Sequence, residues 1–189
     1  MVSGSMLKLV IHDLEEELRK VGREVNADDI TSIVNTHALT TAASAAAAGV
    51  VPGAGSTIAL GIACTSTVVM YGRLAKAVGV RLNNGLIKAV AAAVGADLSA
   101  YIATFLLASA AVSFIPFFGS LSAAAMTGIS NFAFVYIAGI IFLKIIAKFG
   151  VTRIESMSES ELTRAAKDAQ SEVDFKQAMK EAKQVYKSK

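Results

Sequence analysis

Two long stretches of this chain carry no aspartate, glutamate, lysine or arginine. The first covers 43 residues from Ile30 to Gly72, with His37 its one imidazole, and the second covers 46 residues from Leu98 to Leu143. A helix crossing the hydrocarbon core of a bilayer, roughly 30 Å thick, needs about 20 apolar residues. Two such helices and a turn need about 45, so each stretch has the length of a spanning helical hairpin. Only 17% of the 189 residues are charged, against roughly 25% in a chain that wraps itself in a water-facing surface. The reading is an all-α integral membrane protein. A water-soluble bundle hiding both hairpins in its core ranks behind it, because the remaining helices are too few to cover them.

The chain has two prolines, and both occupy the same setting. Pro52 lies in Val50-Val51-Pro52-Gly53-Ala54-Gly55-Ser56 and Pro116 in Phe114-Ile115-Pro116-Phe117-Phe118-Gly119-Ser120. Proline ends the incoming helix, glycine allows the reversal, and serine caps the outgoing helix. Pro52, Gly53 and Gly55 therefore mark one hairpin turn, Pro116 and Gly119 a second, and the pattern reads as an internal repeat.

Three parts follow. Residues 1–28 hold a short leader, which reads as a cloning remnant ahead of Met6, and an amphipathic helix over Met6–Val25. Its stripe is Leu7, Val10 or Ile11, Leu14, Leu18 and Val21, with charged residues elsewhere. Residues 29–150 form the membrane domain, two tandem hairpins over 29–80 and 84–149. Their four helices are expected over Asp29–Val51, Ser56–Val80, Asn84–Ile115 and Ser120–Phe149, with Asp28 or Asp29 as the first cap. Residues 151–189 form one charged, amphipathic helix opened by a Ser158–Glu161 capping box, with Leu162, Ala165, Ala169, Val173 and Met179 on a weak apolar face.

Basic residues set the orientation. The loop between the hairpins carries Arg73, Lys76, Arg81 and Lys88 and no acid, Lys144, Lys148 and Arg153 follow the last hairpin, and Arg19, Lys20 and Arg23 precede the first. If both hairpins cross, all three groups share one side, so the positive-inside rule puts both termini in the cytoplasm. Arg73, Lys76, Arg81 and Lys88 then form a loop that holds anionic headgroups. The second hairpin is rich in Phe, Ile and Leu and inserts unaided. The first is built from Ala, Ser, Thr and Gly, and either crosses by packing on its neighbours or stays re-entrant.

Few residues carry chemistry. One cysteine, Cys64, excludes an intramolecular disulfide and a cysteine zinc site, and mid-helix it reads as a packing residue. The Gly49–Thr57 run has no lysine before its serine, so it is no Walker phosphate loop. No nucleophile–base set or metal-ligand cluster stands out, and no enzyme activity, cofactor or metal is expected. A net charge of +3 makes no case for nucleic acid. His37 and Asp97 are the titratable groups nearest the membrane segments. They are either an intramembrane polar pair or a helix-entry histidine and an aspartate near the cytoplasmic end that pairs with Lys88, Arg73 or Lys76. Small residues at four-residue spacing, such as Ala42 with Ala46 and Ala92 with Ala96 and Ala100, suit close helix packing in lipid and point to a homo-oligomer. Thr40, Thr41, Ser44, Thr57, Thr65, Ser66 and Thr67 concentrate in the first hairpin; such hydroxyls either line a wet path or bond back to their own helix.

The run ALTTAASAAAAGVVPGAGSTIALGIACTSTVVMYGRLAKAVGV (Ala38 to Val80) resembles the core signature of the YcjF-like bacterial inner-membrane proteins, a family of unknown function. The counterparts are Pro52, Gly53, Ala54, Met70 and Gly79-Val80; FIPFFGSLSAAAMTGISNFAFVYIAGIIFLKII (Phe114 to Ile146) resembles the family's second half. Many members carry an acid directly after Pro-Gly-Ala, where this chain has Gly55. The resemblance implies a bacterial inner-membrane location and a helical module that works with an Era-like or dynamin-like GTPase partner. The expected function is a non-enzymatic, self-associating scaffold in the lipid bilayer that gathers partners or shapes the membrane; the alternative is an oligomeric pore lined by the Ser/Thr face of the first hairpin.

Overall fold

Glycine and short polar residues divide the chain into helices. The computed structural model describes residues 5–48, 55–113 and 123–188, apart from the side chains of 55–56, 105–113 and 123–125. In order these form α1 (Met6–Lys20), α2 (Ala27–Ala48), α3 (Gly55–Ala77), α4 (Asn84–Ser113), α5 (Ala123–Phe149), α6 (Val151–Ser156), α7 (Glu159–Ser171) and α8 (Phe175–Lys187), with no strand among the described residues. The all-α class is as expected. Of the turn residues, Gly55 is the first of α3, while Pro52, Gly53, Pro116 and Gly119 lie outside the described residues.

Helix ends depart from expectation where local chemistry intervenes. α1 stops at Lys20 rather than Val25 because Gly22 takes φ 68°, and the Arg23 amide bonds back to the Leu18 carbonyl. α3 stops at Ala77 for the same reason at Gly79, φ 72°, with the Val80 amide on the Ala75 carbonyl. This is the left-handed exit that favours glycine. The first hairpin helix is capped not by an aspartate but by Asn26, whose Oδ1 accepts from the Asp28 amide at 2.9 Å. The Ser158–Glu161 capping box is present. The single helix expected over 151–189 is in fact three, α6, α7 and α8: Ser158 caps the start of α7, and Asp174 caps that of α8 by accepting from the Gln177 amide at 3.0 Å.

α2 to α5 run up and down beside one another, with α5 at the centre. α2 lies antiparallel to α5 along a glycine seam: a Cβ on Gly139 would stand 3.0 Å from Val34 Cγ2, and one on Gly128 would stand 3.4 Å from the Ala42 carbonyl. α3 runs parallel to α5, tied by the Tyr71 hydroxyl donating to the Ala138 carbonyl at 3.0 Å and by Tyr71 stacking on Phe142. α4 returns antiparallel, with Gly95 against Phe134. α1, α6, α7 and α8 cover the remaining flank of α5, and one hydrophobic core joins all of these elements.

Among the described residues three helices are long and apolar enough to cross a membrane: Thr57–Ala77, Asn84–Thr104 and Met126–Phe149. α2 is not among them. The most apolar, α5, is also the most enclosed, with 78% of its window buried against 39% for α3 and for α4. The terminal helices thus cover more of the apolar chain than their length suggests. Their apolar stripes, Leu7, Val10, Ile11, Leu14 and Leu18 on α1 and Ala178, Met179 and Ala182 on α8, are spent inside the molecule.

Candidate membrane-insertion surface

Charge divides the bundle crosswise. Val34 faces Gly139 and Ala42 faces Gly128, so His37, between them on α2, lies level with the middle of α5. Gly95 meets Phe134, and Ser99 and Ile102 share a cavity of about 220 Å³ with Thr127 and Asn131, so Asp97 lies at the same level on α4. From there towards the two hairpin turns no described stretch carries an acidic or basic residue: α2 from Ala38, α3 up to Thr65, α4 from Leu98 and α5 up to Phe134. Every charge on α2 to α5 is at that level or towards the other end.

At that other end the basic residues gather. Arg73 and Lys76 close α3, Arg81 lies in the connection, Lys88 opens α4, and Lys144 and Lys148 close α5. Arg73, Lys76, Arg81 and Lys88 are all exposed. Arg23 donates to the Gly79 carbonyl at 2.7 Å, and the Arg81 amide donates to Glu155 Oε1 at 2.8 Å.

The belt around the middle is α8. Tyr136 on α5 donates its hydroxyl to Glu181 Oε1 at 2.6 Å, and Phe132 packs on Tyr186 at 5.4 Å between ring centroids. Tyr101 on α4 packs on Phe175 at 4.9 Å. Glu181 also accepts from the Met6 amide at 2.6 Å and from the Ser5 hydroxyl, so one carboxylate joins α8, α5 and the N-terminus of α1, where a helix dipole favours negative charge.

Towards the hairpin turns the outer surface is apolar or weakly polar. Ile58 and Leu60 on α3 are 44% and 43% exposed, and Ala100 and Ala103 on α4 are exposed. The Ser/Thr set of the first hairpin is split. Thr40, Ser44, Thr57 and Thr65 face outward, with Thr40, Ser44 and Thr65 along a groove of about 480 Å³ between α2 and α3. Thr41 and Thr67 are each 1% exposed. Thr65 and Thr67 donate back to the Gly61 and Ala63 carbonyls at 2.9 Å each.

His37 and Asp97 share a level but not a bond. His37 meets Ser66 Oγ through Nδ1 and Arg73 through Nε2, each at 3.3 Å; Asp97 is exposed and has no ion pair among the described residues. Cys64 is not a packing residue: it is exposed beside a groove of about 360 Å³ between α3 and α4. Among the described residues no cluster of three or more His, Cys, Asp or Glu could hold a metal ion. Comparison of the chain with family models, with curated proteins and with solved structures finds no match.

Sequence reading placed the basic loop Arg73, Lys76, Arg81 and Lys88 at the headgroups and did not single out the crosswise division of charge. Asp97 was the available signal, but its depth follows only from the register of α4 on α5.

Proposed function

We propose that this chain is a non-enzymatic membrane module whose charge-free half lies in the lipid bilayer and whose charged half stands in water. The observation that carries the reading is that the exposed carboxylate of Asp97 and the belt helix α8 lie at one level of the bundle. Setting the lipid edge at Arg73 and Lys88 instead would place Asp97 and the α8 lysines in hydrocarbon, at about 2.5–3.5 kcal/mol each. That cost exceeds anything the basic end returns.

Depth then separates the two hairpins. Beyond the boundary the second hairpin, Leu98 to Ala133, has about 17 residues per arm once a turn of the same length is set aside, a reach of about 25 Å at helical rise, and crosses. The first, Ala38 to Thr65, has about 13 per arm once a turn is set aside, or about 20 Å, and enters without crossing. The reading is two crossings and a re-entrant first hairpin, with both termini on the side that carries the positive charge, the cytoplasm. The resemblance to YcjF-like proteins supports a bacterial inner membrane and a GTPase partner for the charged half. Ala100 and Thr104, exposed one turn apart on the lipid side of Asp97, support self-association. A hairpin that enters one leaflet wedges it, so the module shapes membrane as well as anchoring partners.

The test is cysteine mapping in a Cys64→Ser background, with a membrane-impermeant maleimide on spheroplasts and inverted vesicles. Lys76→Cys and Asp97→Cys are expected to label from the cytoplasmic side, and Thr57→Cys and Thr104→Cys from neither. Protection of Asp97→Cys would move the boundary to the basic end. Labelling at all four positions would make the chain a water-soluble bundle. The pore reading keeps one favouring observation, the outward row of Ser32, Thr36, Thr40 and Ser44 on α2; ion flux through reconstituted liposomes decides it.

A further inference from the structure

α8 turns one face inward and leaves the other strongly basic. Ala178, Met179 and Ala182 are buried. Lys176, Lys180, Lys183 and Lys187 are exposed, and at 3.6 residues per turn they fall within about 60° of arc over a rise of about 16 Å. The one acid within the helix, Glu181, is committed inward to Tyr136 and the α1 N-terminus. None of the four lysines has an ion pair among the described residues, whereas Lys20, Lys144 and Lys148 do. The outer face of α8 is therefore an uncompensated line of ammonium groups, presented by a helix that lies across the middle of the most apolar helix.

We propose that the Lys176–Lys180–Lys183–Lys187 face of α8 is the docking surface for anionic lipid headgroups. This rests on the boundary proposed above, which brings α8 to the height of the phosphates. Four lysines, flexible and strongly hydrated, suit phosphate as point charges without the fixed geometry of arginine. Their buried partners hold the helix flat against the bundle, so the row tracks the membrane surface rather than leaving it. Each lysine near an anionic surface is worth about a five-fold preference, so the row gives a preference of several hundred-fold, weakened by salt. Lys76 and Lys88 stand back from that level, Lys88 by nine residues of α4 from Asp97, or about 14 Å, whereas the Arg73 guanidinium reaches back to His37 at 3.3 Å.

The experiment uses the full chain reconstituted in phosphatidylcholine vesicles containing a minor fraction of phosphatidylglycerol. Spin-labelled lipids of each headgroup report the composition of the protein's lipid shell, at low and at high salt. Wild type is expected to enrich phosphatidylglycerol at low salt, and K176Q/K180Q/K183Q/K187Q to lose that enrichment. K76Q/K88Q is expected to keep it. Loss in K76Q/K88Q with retention in the α8 variant overturns the proposal, as does enrichment equal in all three proteins or absent from wild type. Displacement of the lipid from wild type by inorganic phosphate at matched ionic strength also overturns it, by making the row a free-anion site. Alkaline extraction separates the two levels of failure: a chain that resists extraction yet shows no headgroup preference refutes the α8 surface alone, whereas a chain that is extracted refutes the membrane reading beneath it.

Discussion

Replacing Glu181 with alanine removes one side chain from three helices at once. Tyr136 is 1% exposed, and its hydroxyl loses a charged acceptor at 2.6 Å, which costs about 1.5–3 kcal/mol. The Met6 amide loses its acceptor as well, and an uncapped helix N-terminus costs about 1 kcal/mol. The total is about 2.5–4 kcal/mol before the neighbours relax. For a chain of this size each kcal/mol moves the midpoint by about 2–4 °C, so thermal unfolding in mild detergent, followed by far-ultraviolet circular dichroism, should fall by about 5–16 °C. Glu181→Gln keeps an acceptor without the charge and should lose about half as much. A double-mutant cycle with Tyr136→Phe should return a coupling of about 1–2 kcal/mol. A Glu181→Ala midpoint within 2 °C of wild type, or strict additivity in the cycle, would refute the three-helix junction and with it the seating of α8.

Three further outcomes are expected. Gly139→Leu drives a side chain into Val34, whose methyls stand 3.0 and 3.1 Å from a built Cβ, and should cost at least 1–3 kcal/mol by overpacking; Val34→Ala in the same chain should return part of it in the same melt. Gly150→Ala and Gly22→Ala both force an L side chain to positive φ, at 75° and 68°, for about 1–2 kcal/mol each, and Gly150→Ala should be the worse because its Cβ meets Glu17 Oε1 at 2.7 Å while Gly22 faces open space. The hydrogen bond from Lys148, then that from Lys144, holds the Glu172 carboxyl below its ordinary value. A lowered carboxyl stabilises the fold above its unfolded value, about 4.3, and loses that contribution as pH falls through the folded value. Glu172→Gln should therefore melt slightly below wild type at pH 7, by less than about 1 kcal/mol because the pair is largely solvent-screened, and the gap should close as acid protonates Glu172 in the folded chain.

The helical class, the long apolar segments and the Ser158 capping box were legible because each depends on local pattern: charge-free length, 3.6-residue periodicity, a Ser and a Glu three apart. Helix ends at Gly22 and Gly79 were legible in principle, as glycines just past the last apolar residue, but the apolar stripe of α1 drew the helix on to Val25. What lies opposite each stripe was not. Leu14 and Leu18 announce that α1 packs on something, and nothing in their spacing says that it is α5. The depth of Asp97 and the outward turn of Cys64 depend on helix rotation and register, which Gly95 against Phe134 fixes only in three dimensions. Sequence distance also hid the junction at Glu181, whose partners are Tyr136 and Met6.

The glycine seam between α2 and α5 has a consequence in time. Val34 and Gly139 are 105 positions apart in the chain, and at a ribosomal rate of 5–20 residues per second α2 emerges about 5–20 s before the helix it lies against. α2 is too weakly apolar to be drawn into lipid by itself, and its groove-forming neighbour does not yet exist. On the membrane reading, α2 therefore stays at the surface until α5 arrives, whereas α3 is apolar enough to enter before it. A nascent chain halted after Ala48 is expected to leave with alkaline extraction, and one halted after Phe149 to stay.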